Sequence, residues 1–143
     1  MGFPDRIERS VELAHPRATV WAALTTPEGL SAWFGDKATI DLRPGGAAQV
    51  TFKSGLTVDM RIEQVEEPAV FGFTWRLPDL PDEDPRRTYV EFTLEAVGAG
   101  TRLQVVETGF AQLPDDSRRQ TYDSHAEGWV RELGELASAL DAA

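Results

Sequence analysis

The sequence predicts an α+β domain in which a long antiparallel sheet is followed by one C-terminal helix. Three observations support this prediction. Residues 15–36 contain two short helical segments, each begun by a proline. Residues 38–108 alternate apolar and polar side chains with a period of two, as strands do, and residues from about 117 to 140 repeat their apolar side chains at helical spacing.

The N-terminal region is expected to form one strand and then the two short helices. Residues 7–13 alternate apolar and polar side chains, with Arg9 as the charged member of the apolar face. Pro16 and Pro27 suit the first turns of the helices, and Gly35 marks the end of the second. The inward-facing side chains of the two helices are predicted to be Val20, Trp21, Leu24, Leu30, Trp33 and Phe34.

Six strands are predicted between residues 38 and 108. Turn sequences separate them at Arg43-Pro44-Gly45-Gly46, Ser54-Gly55, Glu66-Glu67-Pro68 and Gly98-Ala99-Gly100. All connections but one are short, which favours an antiparallel meander over strand–helix–strand units. The predicted apolar positions are Ala48, Val50, Phe52, Leu56, Val58, Met60, Ile62, Phe71, Phe73, Trp75, Val90, Phe92, Leu94, Leu103 and Val105.

The one long connection runs from Arg76 to Arg87. It contains three prolines and the four acids Asp79, Asp82, Glu83 and Asp84, a composition too polar to pack and too rich in proline for a helix. Two interpretations fit this composition: a lid over the mouth of a cavity, or an ordinary exposed loop.

The C-terminal segment, from about Ser117 to Leu140, is predicted to be one amphipathic helix. Its apolar face carries Tyr122, Trp129, Leu133, Leu136 and Leu140, with His125 and Ala126 beside them. Gly128 lies inside this helix, where glycine costs about 1 kcal/mol relative to alanine. One explanation is that the helix approaches a neighbouring backbone closely at this position.

Composition limits the partners of the protein. The 143 residues are expected to form a single domain, 1–143, and the net charge of −10 disfavours binding to nucleic acid or an anionic membrane. No cysteine is present, and the first residues lack the apolar core of a signal peptide, so a cytoplasmic location is expected.

Few residues offer catalytic or metal-binding chemistry. The two histidines, His15 and His125, are far apart in sequence, and no thiol or HExxH pattern is present, so neither a metal site nor a cofactor is expected. The glycine pairs are better explained as turns than as phosphate loops, and no catalytic triad is recognisable. His15 is expected in an exposed turn or capping position.

His125 has two interpretations. It lies one helical turn from both Tyr122 and Trp129, so His125 and Tyr122 could present polar groups to a ligand. Alternatively, His125 is a partly buried, hydrogen-bonded residue at the edge of the core. Glu107 and Arg9 share strand parity with apolar neighbours and could pair, although their places near strand ends favour solvated positions at a rim.

Several motifs, taken together in this order, resemble one known superfamily. They are Val20-Trp21-x-x-Leu24-Thr25-x-Pro27-Glu28-x-Leu30-x-x-Trp33-Phe34, then Phe73-Thr74-Trp75, then Thr101-x-Leu103 through Glu107-Thr108-Gly109-Phe110, and Gly128-Trp129-x-x-x-Leu133. The chain resembles the START-like helix-grip (SRPBCC) superfamily. Within it, the chain is similar to homologues of the activator of the ninety-kilodalton heat-shock protein ATPase.

The resemblance implies a curved antiparallel sheet that grips the C-terminal helix around an apolar cavity, with the two short helices closing one end. The leading hypothesis is therefore binding of a small, largely apolar ligand between sheet and helix. The residues predicted to line the cavity are Trp33, Phe34, Phe52, Val58, Met60, Phe73, Trp75, Phe92, Tyr122, His125 and Trp129. Ordinary core packing is the alternative interpretation of these aromatic side chains.

Two other functions remain open at this point. One is an enzyme similar to the cyclases and aromatases of the superfamily, with His125, Tyr122, Arg9 and Glu107 as its acid–base groups. The other is a protein-interaction module that contacts a chaperone or forms a homodimer.

Overall fold

The computed structural model describes residues 5–142 apart from Asp79 and Asp82. These residues form seven strands and three α-helices in the predicted order, and one turn of 3-10 helix, Phe110–Gln112, that was not predicted. The strands are β1 (Arg6–Leu13), β2 (Lys37–Ile40), β3 (Ala47–Thr51), β4 (Thr57–Glu66), β5 (Val70–Arg76), β6 (Arg87–Val97) and β7 (Gly100–Thr108). The helices are α1 (Arg17–Thr25), α2 (Pro27–Trp33) and α3 (Asp115–Ala142).

The strands form one antiparallel sheet in the order β1-β7-β6-β5-β4-β3-β2. Strands β2 to β7 are therefore a meander, as predicted, and β1 pairs with β7 at the far edge. The Ser54-Gly55 hairpin is confirmed between β3 and β4, where Gly55 has a φ of 92°, a value that favours glycine. The alternation of apolar and polar residues thus predicted both the strands and their connectivity.

Helices α1 and α2 form a compact pair next to the sheet. The Thr26 side chain accepts a hydrogen bond from the Gly29 backbone N–H at 2.9 Å, which caps the start of α2. Trp33 donates its indole N–H to the Ala23 carbonyl oxygen of α1 at 2.8 Å and is 7 % exposed. Trp33 was predicted to line the cavity, but its ring instead joins the two helices inside the core.

Helix α3 begins two residues before the predicted start and packs its apolar face on the rest of the core. Trp129, Leu133, Leu136 and Leu140 are buried along one side of this helix. At its far end, Asp141 bonds the His15 imidazole Nε2 at 2.8 Å, which joins the C-terminus to the turn before α1. Among the described residues, no helix combines the length and the hydropathy needed to cross a membrane.

The centre of the interior is filled by aromatic side chains. Phe71 lies 5.6 Å from Phe73 and 6.4 Å from Phe92 between ring centroids, and all three are at most 3 % exposed. Met60 is also buried in this cluster. The sequence predicted Met60, Phe73 and Phe92 as cavity wall; the structure places them in the closed core, because neighbouring rings occupy the space beside them.

Candidate functional site

A solvent-accessible pocket of about 260 Å³ lies at one end of the interior. It is bounded by the residue after α2, the β3–β4 hairpin, the end of β5 and one face of α3. Its lining residues are Phe34, Phe52, Leu56, Val58, Trp75, Arg76, Pro78, Ser124, His125, Gly128, Trp129, Arg131 and Glu132. This volume is slightly below the usual range for small-molecule pockets, about 300–1,000 Å³.

Three nearly parallel aromatic rings form one part of the pocket wall. The centroids of Phe34 and Trp129 are 6.0 Å apart with an interplanar angle of 6°, and those of Phe34 and Trp75 are 6.0 Å apart at 11°. Trp75 and Trp129 are 5.7 Å apart at 18°. These residues come from three separate elements, so the fold itself brings the rings together.

Glu107 lies directly behind this wall and is completely buried. It is on β7, opposite Val90 of β6 and Ile7 of β1. The strand parity that the sequence showed is therefore correct, but the expected solvated rim position is wrong. Glu107 is buried although it is near the end of β7, because β1 and β6 pair with β7 as far as Thr108 and His125 and Trp129 of α3 cover the carboxylate.

Four side chains donate hydrogen bonds to the Glu107 carboxylate. Trp129 Nε1 donates to Oε1 at 2.9 Å and Trp75 Nε1 to Oε2 at 3.0 Å. The Thr88 hydroxyl donates to Oε2 at 2.5 Å, and His125 Nδ1 lies 2.8 Å from Oε2 and 2.9 Å from Oε1. Such a set of donors is what an ionised carboxylate requires in an apolar interior.

These contacts keep the pKa of Glu107 below its ordinary value. Burial alone would raise the pKa, since it disfavours the charged form. The hydrogen bond and charge of His125, followed by the hydrogen bonds of Thr88 and Trp129, lower it by more. The carboxylate is therefore ionised near neutral pH, and it orients the polar edges of Trp75, Trp129 and His125 together.

An ionised Glu107 also determines which His125 nitrogen carries a proton. An ionised carboxylate only accepts hydrogen bonds, so Nδ1 must be the donor. The His125 side chain lines the pocket and is 18 % exposed. Its ring makes edge contacts with Trp75 at 5.9 Å and Phe110 at 5.6 Å between centroids. Among the described residues, no hydrogen-bond partner of Nε2 is present.

Both basic and acidic side chains line the pocket. The basic residues are Arg76, Arg131 and His125, and Glu132 is the one lining carboxylate among the described residues. Burial raises the pKa of Glu132, and Arg131 Nε lies 3.7 Å from Glu132 Oε1. With the ionised Glu107 behind the wall, the charges at this end of the molecule are therefore mixed.

The structure brings only part of the predicted cavity wall to this pocket. Phe34, Phe52, Val58, Trp75, His125 and Trp129 line it. Tyr122 does not, because its hydroxyl donates to the Arg6 carbonyl oxygen at 3.0 Å and its ring packs on Phe110. The remaining predicted residues, Trp33, Met60, Phe73 and Phe92, are the core residues described above.

The hypothesised pair of Arg9 and Glu107 does not form. Arg9 donates to the Glu8 carbonyl oxygen at 2.8 Å, and it stands opposite Val105 in the sheet rather than opposite Glu107. The parity was right, but the register places the guanidinium two residues away along β7. The partner of Glu107 is His125, from a different element, which strand parity could not identify.

The long connection between β5 and β6 contributes to the pocket at its first residues. Arg76 and Pro78 line the pocket, and Leu77 is 3 % exposed, so this end of the loop packs on the core. The expectation that the whole segment is too polar to pack is wrong for this reason. Asp79 and Asp82, two of its four acids, lie outside the described residues.

Gly128 has a different role from the one its position suggested. A Cβ atom at this position would contact only Arg131 Nη2, at 3.7 Å, so no neighbouring backbone requires a glycine. Gly128 instead lines the pocket between His125 and Trp129. The spacing of Ser124, Gly128 and Glu132, each four residues apart on α3, could have predicted this second pocket-lining row, but polar residues at helical spacing usually indicate a solvated face.

The architecture belongs to the helix-grip class, an antiparallel sheet packed on a long C-terminal helix with two short helices after the first strand. Residues 14–141 match the family model described as Activator of Hsp90 ATPase homolog 1-like protein, and the chain belongs to this family. None of the curated proteins matches the sequence significantly.

Solved structures share this fold. Protein MLL2253 from Mesorhizobium loti is 26 % identical, with a TM-score of 0.81 over 96 % of this chain and 97 % of that one. An Hsp90 activator from Plasmodium falciparum, PFC0360w, is 19 % identical, with a TM-score of 0.78 over 96 % and 97 % of the two chains. The Aha1 dimer from Colwellia psychrerythraea is 19 % identical, with a TM-score of 0.75 over 94 % and 95 %. At 19 % identity, the last two show the fold alone.

Proposed function

We propose that the pocket binds a small, largely apolar ligand between the end of the sheet and helix α3. The observation that carries the proposal is the buried Glu107 carboxylate, which fixes the N–H groups of Trp75, Trp129 and His125 behind an accessible aromatic wall. Orienting side chains before a ligand arrives reduces the entropy that binding costs.

Core stability alone is a weaker explanation of this arrangement. A buried ionic group is often no more stabilising than apolar side chains of the same volume, because removing charges from water is costly. The centre of the core, around Phe71 and Phe73, packs without any such group. The carboxylate occurs where the interior opens, which supports a role in shaping the pocket.

Binding can be tested with 2-naphthalenemethanol, a neutral two-ring probe. Trp75 and Trp129 line the pocket, so their fluorescence should change saturably as the probe binds. Isothermal titration calorimetry should give a stoichiometry near one. The variant Gly128→Leu places a side chain in the pocket and should abolish binding.

The matched control is Gly134→Leu on the same helix. A Cβ atom at Gly134 meets nothing within 4 Å, and this residue is exposed and outside the pocket. Gly134→Leu should bind the probe as the wild type does. Saturable binding that survives Gly128→Leu unchanged, or no binding to the wild type, would overturn the proposal.

A second candidate function, acid–base catalysis in the same pocket, is favoured by the 2.8 Å contact between His125 Nδ1 and Glu107 Oε2. Of the four acid–base groups that the sequence suggested, these two converge, whereas Tyr122 and Arg9 bond backbone carbonyls elsewhere. Incubation with a poly-β-ketone mimic and chromatographic product analysis tests this function. Products identical to those without protein, or unchanged in His125→Asn, would exclude it.

The hypothesis of a protein-interaction module stays a prediction. Leu56, Val97 and Val130 are exposed large apolar residues, but they lie on the β3–β4 hairpin, β6 and α3, respectively. Light scattering would test for a homodimer, and a pull-down with the chaperone of the source organism would test that partner.

A further inference from the structure

The unpartnered nitrogen of His125 marks the polar end of the pocket. Nδ1 is bonded to Glu107, and the His125 side chain is part of the pocket lining. Edge contacts of the ring with Trp75 and Phe110, together with the Nδ1 bond, restrict its rotation. Nε2 is therefore an oriented hydrogen-bonding atom for a ligand that packs on the aromatic wall.

The chemistry of Nε2 favours an acidic ligand group. Glu107 already determines that Nδ1 carries a proton, so Nε2 is either a donor on an imidazolium ion or an acceptor on a neutral ring. A carboxyl group suits both states, because one proton can then lie between its oxygen and Nε2. The resulting hydrogen bond is charge-assisted when the proton is on the ring.

Charged side chains near the pocket are of both signs. Arg76 and Arg131 line the pocket with His125, but Arg131 lies 3.7 Å from Glu132, and the ionised Glu107 is buried behind the wall. The lining arginines are compatible with an anionic ligand group, but it is His125 Nε2 that favours a carboxyl group.

The shape of the wall selects the rest of the ligand. Phe34, Trp75 and Trp129 present nearly parallel rings, and flat aromatic molecules pack well on such surfaces. A volume of about 260 Å³ accommodates a molecule of one or two rings.

We infer that the ligand of this pocket is a small aromatic carboxylic acid whose carboxyl group bonds Nε2 of His125 while its rings pack on Trp75 and Trp129. The inference rests on the proposed function and specifies the chemical class of its ligand.

The test compares 2-naphthoic acid with 2-naphthamide, which has the same rings and a neutral head group. Calorimetry on the wild type should show at least about tenfold tighter binding of the acid, the factor expected for one hydrogen bond to a charged group. In His125→Asn, the asparagine amide can still donate to Glu107 from near the Nδ1 position, but the Nε2 atom is gone. The preference for the acid should therefore disappear, while the affinity for the amide changes less than about threefold.

Each other result of this comparison overturns either the inference or the proposed function. Equal affinity of acid and amide for the wild type overturns the inference and leaves the proposed function intact. A preference that persists in His125→Asn also overturns it, because the carboxylate would then be held elsewhere. Failure of both probes and of 2-naphthalenemethanol to bind overturns the proposed function, and the inference with it.

A measurement on the wild type makes the test independent of the stability of the variant. The chain has two histidines, so nitrogen NMR of protein labelled at histidine gives two rings, and His15→Gln assigns them. The Nε2 resonance of His125 should move further on addition of 2-naphthoic acid than with 2-naphthamide, because only the acid forms a charge-assisted hydrogen bond with Nε2. An unchanged resonance at saturating acid would contradict the inference.

Discussion

The two ends of the aromatic interior use similar side chains in different ways. At the closed centre, Phe71, Phe73 and Phe92 fill space against one another and need no polar partner. At the open end, Trp75 and Trp129 pack in parallel and direct their N–H groups to one buried carboxylate. Close packing alone fixes the side chains in the first region, whereas hydrogen bonds to Glu107 add to packing in the second, where Trp75 stays partly exposed at the pocket.

The largest expected effect follows from removal of that carboxylate. Glu107→Ala should lower the free energy of unfolding by about 4–5 kcal/mol, the upper part of the range for breaking a buried charged pair, because four donors lose their acceptor. Urea unfolding followed by circular dichroism measures the loss. Glu107→Gln, which keeps an acceptor oxygen, should lose less; a loss below about 1 kcal/mol for the alanine variant would show that the network contributes little.

The next largest effect is the loss of stability when a phenylalanine is replaced by alanine, which should differ between the closed centre and the open end. Phe73→Ala should cost about 3–4 kcal/mol, because the side chain is 1 % exposed and its removal leaves a cavity. Phe52→Ala should cost about 1 kcal/mol, since Phe52 is half-buried and its loss only widens an existing pocket. Equal losses in the same unfolding experiment would contradict the distinction between a closed centre and an open end.

The pH dependence of stability should be opposite for the buried Glu107 and the half-buried Glu132. The folded-state pKa of Glu107 is lowered from its ordinary value of 4.5, so its contribution is present above pH 4.5 and is lost as the pH falls through the lowered pKa. Wild-type protein should therefore lose stability below pH 4.5 more steeply than Glu107→Gln does. Parallel profiles for the two proteins would argue against an ionised Glu107.

Glu132 provides the comparison of opposite sign. Burial raises its folded-state pKa above 4.5, so its favourable contribution is present below that pH and is lost as the pH rises through the raised pKa. Glu132→Gln should consequently be more stable than the wild type at pH 7, and the difference should shrink below pH 4.5. A destabilised Glu132→Gln at pH 7 would mean that its contact with Arg131 outweighs its burial.

The contrast between the two regions also separates what the sequence could predict from what it could not. Period-two alternation, the prolines at the starts of α1 and α2 and the helical spacing in α3 are local patterns, and they predicted every strand and α-helix in order. Which aromatic residues line the pocket depends on how neighbouring rings fill space, so Phe73 and Trp75, on the same face of β5, were not distinguishable. The partnership of Glu107 and His125 depends on the docking of α3 on the sheet, which no local pattern encodes.

Gly128 should give the smallest change in stability and the clearest separation of stability from binding. Alanine at this position meets only Arg131 Nη2 at 3.7 Å, so Gly128→Ala should raise the free energy of unfolding by about 0.5–1 kcal/mol through helix propensity. Gly134→Ala should stabilise α3 by a similar amount, because nothing lies near its Cβ position either.

Only Gly128→Ala places a methyl group in the pocket, so only that variant should weaken the binding of 2-naphthalenemethanol. If both variants bind the probe as the wild type does, the methyl group does not reach the ligand, and the glycine is then unexplained by the pocket. A loss of binding confined to Gly128→Ala would mean that the chain carries a less stable helix at the position where a side chain obstructs the ligand.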